Sequence, residues 1–242
     1  MEKLMARYTD CLVLINEEDY RTCINRHFKA GRIEKINGVG VNLDRFEVLA
    51  QEAKNEVRGK LGVGQTDFVM VCVAEFIPRK NQIFLLENAK RLHESIPNMR
   101  LLMLGKGELL EEYQKKVQDE KMDDYVSFLG YRSDVNEICA ASDVLVSSSF
   151  QEGLPMNIIE AMAVGIPVIC SDIRGQRDLI QDGRNGFLFC LGDNETYCKR
   201  VEELAQSRQL QLDMQQHNLE DVKKYSLDRA IEKMSEIYRR YM

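Results

Sequence analysis

Several features are missing from this 242-residue sequence, and each absence removes a class of function. No apolar run approaches the length needed to cross a bilayer, so a soluble protein is expected. No C-x-x-C pair occurs among the seven cysteines, an odd number scattered through apparent strands and helices. With no secretory leader either, that pattern argues for reduced thiols in a cytosol, with Cys72, Cys139 and Cys170 as core residues. No D-x-D metal-binding motif is present; the look-alikes Asp123-Asp124 and Asp182-Gly183 fall where turns are expected. A basic balance is lacking too. At a net charge of −6 the chain is a poor nonspecific binder of nucleic acid, and an anionic ligand must rely on local cations. Histidine is scarce, and His27, His93 and His217 each occur in an amphipathic helical stretch outside any motif, where a surface or boundary role is the better reading.

What is present suffices for a large core: 44% of residues are hydrophobic and 30% charged. Strand patterns at Asp67 to Ala74, Leu101 to Leu104, Val126 to Phe128, Asp143 to Val146, Pro167 to Cys170 and Asn185 to Phe189 alternate with helical patterns. The helices are expected from about Gln82 to Ser95, Glu108 to Lys121 and a short one from Asp134, with Asn194 to Ala205 and Leu210 to Lys224 after the last strand. Short apolar strands alternating with helices predict an α/β fold, a doubly wound, Rossmann-like parallel sheet with right-handed crossovers and a site at its carboxyl edge.

Within that frame Glu152-Gly-Leu-Pro-Met-Asn-Ile-Ile-Glu160 stands at a strand-loop-helix junction. Pro155 suits the first helical position, where its missing N–H costs nothing. If helical, the segment spans about 12 Å between its glutamates, comparable to the distance from a transferred sugar to the ribose of a nucleotide diphosphate. The free N–H groups of Met156 and Asn157 lie between, where a helix amino terminus favours a pyrophosphate. Arg79 and Lys80 follow the end of the first strong strand, placed to stabilise charge on a leaving diphosphate without a metal. Taken alone, the two glutamates are common on a charged chain and the two cations read as surface charge; their positions after strands favour the functional reading.

These residues together resemble the E-x7-E signature of retaining GT-B glycosyltransferases, in particular glycosyltransferase family 4. Phe76-Ile-Pro-Arg-Lys-Asn81 resembles the family's basic loop, Leu104-Gly-Lys-Gly107 its second glycine loop, and Val126-Ser-Phe-Leu-Gly-Tyr-Arg132 its base loop, in the family's order, from about residue 67 to 190. The resemblance implies that Glu152 contacts hydroxyls of the transferred sugar as a positioner, and that Glu160 holds the ribose. The donor site would then comprise Gly105, Gly130, Tyr131, Arg132, Gly153, Leu154, Pro155, Met156, Asn157 and Glu160, with Glu152, Arg79 and Lys80 at the reacting end. For Gly105 and Gly107, turns joining strand to helix explain the glycines equally well. No cofactor or metal is implied, since the nucleotide sugar is the substrate.

Residues 1–50 resemble the ending of the amino-terminal GT-B domain plus its linker: a helix tail at Glu2 to Thr9, a strand at Cys11 to Ile15, a helix at Glu17 to Phe28, and a strand at Lys35 to Gly40 entering the linker Asn37 to Phe46. Residues 51–225 would be the donor-binding domain, and 226–242 a final helix capped by Ser226 whose apolar face is partly orphaned. Most of the acceptor domain is therefore expected to be missing. The implied partners are a nucleotide-sugar donor, UDP-linked by default and GDP-linked as the alternative, a glycan or lipid-linked acceptor, and an acceptor-domain partner chain or a second copy. The implied setting is polysaccharide assembly in the bacterial cytoplasm, peripheral at the inner face of the membrane. Two other readings stay open: a nucleotide-sugar-binding subunit that turns over nothing alone, and a GT-B sugar nucleotide epimerase.

Overall fold

A computed structural model describes residues 1–241. In chain order the elements are α1 (Glu2–Met5), β1 (Cys11–Leu14), α2 (Glu17–Asn25), β2 (Arg32–Lys35), α3 (Gln51–Lys60), β3 (Phe68–Val73), α4 (Gln82–Ser95), β4 (Met99–Leu104), α5 (Leu110–Asp119), β5 (Val126–Gly130), α6 (Val135–Ala141), β6 (Val144–Ser147), α7 (Met156–Ala163), β7 (Val168–Ser171), β8 (Gly186–Phe189), α8 (Asn194–Gln206), α9 (Arg208–Asp221) and α10 (Leu227–Tyr238).

β3 to β8 form one parallel sheet of six strands in the order β5-β4-β3-β6-β7-β8. Strands β6 and β7 are buried throughout, as expected where helices cover both faces and the strand sequence is apolar on both sides. One apolar layer carries Met70, Leu85, Met103 and Phe187; the other carries Val71, Leu102, Ile158 and Val168. Chain order reverses between β3 and β6, so the loops leaving these neighbours diverge and open a crevice at their carboxyl ends.

Two local expectations are corrected, and one helix is unanticipated. Helix α3 has no apolar stripe to announce it; its one buried residue is Arg58, so hydrophobic periodicity could not find it. The second strand of residues 1–50 lies at Arg32–Lys35, ahead of the expected Lys35 to Gly40, because pairing with β1 sets Cys11 opposite Arg32. Pro155 is the N-cap of α7: its ψ of 115° is extended, and the helix starts at Met156.

β1 and β2 make a separate parallel pair, joined to the large sheet's unit through the carboxyl-terminal helix. Val41 N–H donates to the Tyr225 carbonyl and Leu227 N–H to that of Val41, each at 2.9 Å. Arg240 pairs with Glu34, and the Tyr241 hydroxyl donates to the Asp10 carbonyl at 3.2 Å. Ser226 caps α10 as expected, while Ile231 and Tyr238 on that helix remain exposed. No helix among the described residues is long and apolar enough to cross a membrane.

Candidate functional site

The crevice at the sheet's reversal is bounded by the loop after β3 and the loop after β6, and hydrogen bonds lock the two together. Asn81 Nδ2 donates to the Ser148 carbonyl at 3.1 Å, and Ser148 Oγ donates to the Asn81 carbonyl at 2.7 Å. Phe150 N–H donates to the Arg79 carbonyl at 2.9 Å. Asn157, at the start of α7, donates its amide to the Val73 carbonyl at 2.9 Å, which fixes that helix over the end of β3.

This lock brings together residues far apart in sequence. Lys80 Nζ lies 2.6 Å from Glu152 Oε1, and the Arg79 guanidinium lies 3.9 Å from Glu152 Oε2. Glu152 is only 7% exposed, whereas the Arg79 side chain is half-exposed and also donates to the Gln151 carbonyl at 3.3 Å. A buried carboxylate satisfied by a lysine, with an arginine open to solvent beside it, makes a fixed cationic corner suited to an anionic group.

Beneath that corner the amino terminus of α7 offers unpaired donors. Among the described residues the N–H groups of Gly153, Leu154, Met156 and Asn157 find no partner in the chain, while Ile158 N–H is taken by Asn157 Oδ1 at 3.0 Å. Leu154 turns its side chain toward the linker, where a Cβ on Gly38 would lie 2.5 Å from it, so this residue has only its backbone to offer a ligand. Further along α7, burial pushes the Glu160 carboxyl above its ordinary value, opposed only by the charge of Arg45 from the linker. A carboxylate left costly in this way is better stabilised by hydroxyl donors from a ligand.

A cleft of about 380 Å³ continues from the crevice across β3, β4 and β5, lined by Ala74, Glu75, Gly105, Lys106, Tyr131 and Arg132 above an apolar floor. Its volume suits a nucleoside. At Gly105 a Cβ would sit 2.0 Å from the Ala74 carbonyl oxygen, so packing of the β3 and β4 loops by itself requires that glycine. Gly130 has φ of +66° with open space around it, and its carbonyl accepts from Gly105 N–H at 2.8 Å. Arg132 is held by Asp134 at 2.6 and 2.8 Å, and Lys106 stands 5.4 Å from the exposed Tyr131 ring.

Sequence reasoning did not single out Glu75 or Lys106, nor the buried support behind the β6 loop. There Gln176 donates to Ser147 Oγ at 3.0 Å, and Ser171 Oγ contacts Gln176 Oε1 at 2.9 Å and the Ser149 carbonyl at 2.6 Å. Asp172 pairs with Arg177 and Arg174 with Asp19. His93 stacks on Tyr125 at 4.0 Å, His217 Nδ1 meets the Arg184 carbonyl at 3.0 Å, and His27 is exposed.

The sequence model of the family described as Glycosyl transferases group 1 matches residues 53–221. The chain belongs to that family. Group 1 relatives include EpsD of Bacillus subtilis (strain 168), named as a glycosyltransferase, 39% identical over all of this chain and 64% of its own length. Another is the Escherichia coli UDP-Gal:alpha-D-GlcNAc-diphosphoundecaprenol alpha-1,3-galactosyltransferase, 28% identical over 98% of this chain and 62% of its own. The chain thus spans somewhat under two thirds of these curated relatives. Among solved structures, Anabaena Alr3699/HepE in complex with UDP and glucose superposes with a TM-score of 0.88 at 20% identity, covering 98% of this chain and 65% of that one. This group 1 chain therefore has the parallel-sheet α/β architecture of the GT-B carboxyl-terminal domain.

Proposed function

We propose that this chain is the donor-binding part of a family 4 glycosyltransferase, retaining and metal-independent, that moves a sugar from a UDP-sugar to a glycan or lipid-linked acceptor in cell-surface polysaccharide assembly. The observation that carries the reading is the corner formed by Arg79, Lys80 and Glu152 above the free N–H groups of α7. In the transfer, the bond from the sugar's anomeric carbon to the diphosphate breaks, and the acceptor oxygen bonds to that carbon on the face being vacated. A phosphate oxygen takes the acceptor proton. The protein's part is positional and electrostatic: cations and backbone donors meet the charge that grows on the departing diphosphate, each such donor being worth on the order of 3 kcal/mol.

Glu152, oriented by Lys80, positions the sugar's hydroxyls; Glu160 takes the ribose hydroxyls, and the cleft by Tyr131 and Arg132 takes the base. The relative named for UDP-Gal and a diphosphoundecaprenol-linked sugar supports the donor and acceptor classes, as does the fold likeness to a protein crystallised with UDP and glucose. A second reading, donor binding with turnover only beside a partner chain that carries the acceptor, is favoured by β1 and β2. Their four-residue strands form a parallel pair of only two, and β1 is at best half-buried although its sequence is apolar on both faces.

Calorimetric titration with UDP, GDP and their sugars tests the donor reading. Glu160→Ala and the Arg79→Ala/Lys80→Ala double variant are each expected to weaken UDP-sugar binding at least tenfold. A folded wild-type chain that binds none of these ligands at millimolar concentration would end the donor reading. Turnover with and without an added acceptor-domain chain then separates the two readings.

A further inference from the structure

We propose that Asn16, outside the donor loops, is a positioning residue for the donor site: it holds the Gly153 carbonyl and thereby turns the Leu154 N–H toward the donor's distal phosphate and sugar oxygens. The inference rests on the reading of the Glu152 to Glu160 segment as the donor loop.

Asn16 lies in the turn between β1 and α2, yet it is 1% exposed. Its Oδ1 accepts from Asp19 N–H at 2.8 Å and caps α2; its Nδ2 donates to Asp19 Oδ2 at 2.7 Å and to the Gly153 carbonyl at 3.1 Å. A cap alone needs only the oxygen, which serine, threonine or aspartate supply equally well. The carboxamide adds a donor, and that donor is spent on a residue distant in sequence, inside the segment that follows Glu152.

The Gly153 carbonyl is fixed from a second side. Gly175 has φ of +78°, and a Cβ there would come within 2.3 Å of the Gly153 oxygen, so only glycine lets the β7 loop press so closely. In a planar trans peptide the N–H points opposite to the C=O. Holding the carbonyl toward Asn16 therefore aims the Leu154 N–H the other way, and that N–H is one of those without a partner among the described residues. The turn bearing Asn16 is itself anchored to the β7 loop. Glu17 N–H donates to Asp178 Oδ2 at 2.6 Å, Asp19 pairs with Arg174 at 2.6 Å, and Glu18 with Arg177 at 3.3 Å. Residues 1–50 thus set one backbone donor of the site without touching the ligand, and any movement of that segment away from the sheet releases it.

Asn16→Ser retains the cap oxygen and removes the donor to Gly153. With UMP and UDP-glucose as probes in calorimetry, this variant is expected to melt a few degrees below the wild type, because Gly153 and Asp19 lose a buried donor, and to bind UMP equally well. It should bind UDP-glucose about tenfold or more weakly, the loss of one hydrogen bond to a charged group. Equal affinity for UDP-glucose would overturn the proposal, and so would equal weakening toward both probes, which marks a general structural defect. If Asn16→Ser does not fold, the backbone amide resonance of Leu154 in the wild-type chain decides. It must shift with UDP-glucose and not with UMP; an unmoved amide overturns the proposal. Failure of the wild type to bind either probe would overturn the donor reading, and the proposal with it.

Discussion

At the amino edge of the large sheet, Arg58 is 2% exposed and spends its guanidinium on the carbonyls of Ala141, Gln65 and Asp67 and on the Asp143 carboxylate. Asp143 in turn accepts from Lys54 and from Val69 N–H, so every charge there is met within the chain. At the carboxyl edge the accounting stays open. Among the described residues Arg79 keeps its guanidinium half in solvent, Glu160 is half-buried without a hydrogen-bonded cation, and the first N–H groups of α7 have no partner. Both edges hold carboxylates and cations in the same sheet. A closed network fixes a fold, whereas buried or preorganised polar groups left unmet mark where a ligand completes the structure.

The largest expected effect falls on the closed edge. Arg58→Ala strands Asp143 and the carbonyls around it, and breaking a buried pair from one side costs about 3 to 5 kcal/mol. Denaturant titration should show that loss, while UDP affinity of the remaining folded protein stays at the wild-type value. If Arg58→Ala lowers affinity in the folded state, the two edges are coupled and the contrast between them fails.

How much of this was legible in the sequence follows the same division. The alternation of strands and helices, their order and the loops at the carboxyl edge could be read because each strand of the sheet is a short apolar run. Helix α3 could not, since the side chain it buries is an arginine. Arg79, Lys80, Glu152 and Glu160 were visible as charged residues just after strands or on the helix that follows. Their pairing was not, because Lys80 and Glu152 meet only through loop-to-loop hydrogen bonds. Asn16, Gln176 and Ser171 gave no signal: each is a single polar residue whose meaning comes from a partner that folding brings near.

A middle-sized effect separates the two cations of the open edge. Lys80→Ala removes the 2.6 Å partner of a nearly buried glutamate, so it should cost about 1 to 3 kcal/mol of stability as well as donor affinity. Arg79→Ala, at a half-exposed pair 3.9 Å apart, should change stability by less than about 0.5 kcal/mol and still weaken UDP-sugar binding. Thermal melts beside calorimetry would test the split. Two variants with equal melting temperatures would mean that Glu152 does not need Lys80 and that the corner is not preorganised.

The smallest effect has the most diagnostic sign. Burial raises the Glu160 carboxyl above its unfolded value, so its contribution to stability is fully present below the unfolded value and is lost as pH rises through the folded one. At pH 7 the empty protein therefore carries the cost of a charged Glu160. Glu160→Gln should raise the melting temperature of the ligand-free chain at pH 7, by about 1 to 2 °C, with the difference disappearing near pH 4. The same variant should bind UDP more weakly at pH 7, because the ribose hydroxyls lose a charged acceptor. Wild-type affinity should in turn fall as pH drops through the raised value, while the Gln variant stays flat over that range. A variant that is less stable yet binds UDP as tightly as the wild type would place Glu160 with Asp143 among the groups already satisfied by the fold, and the ribose would have to be held elsewhere.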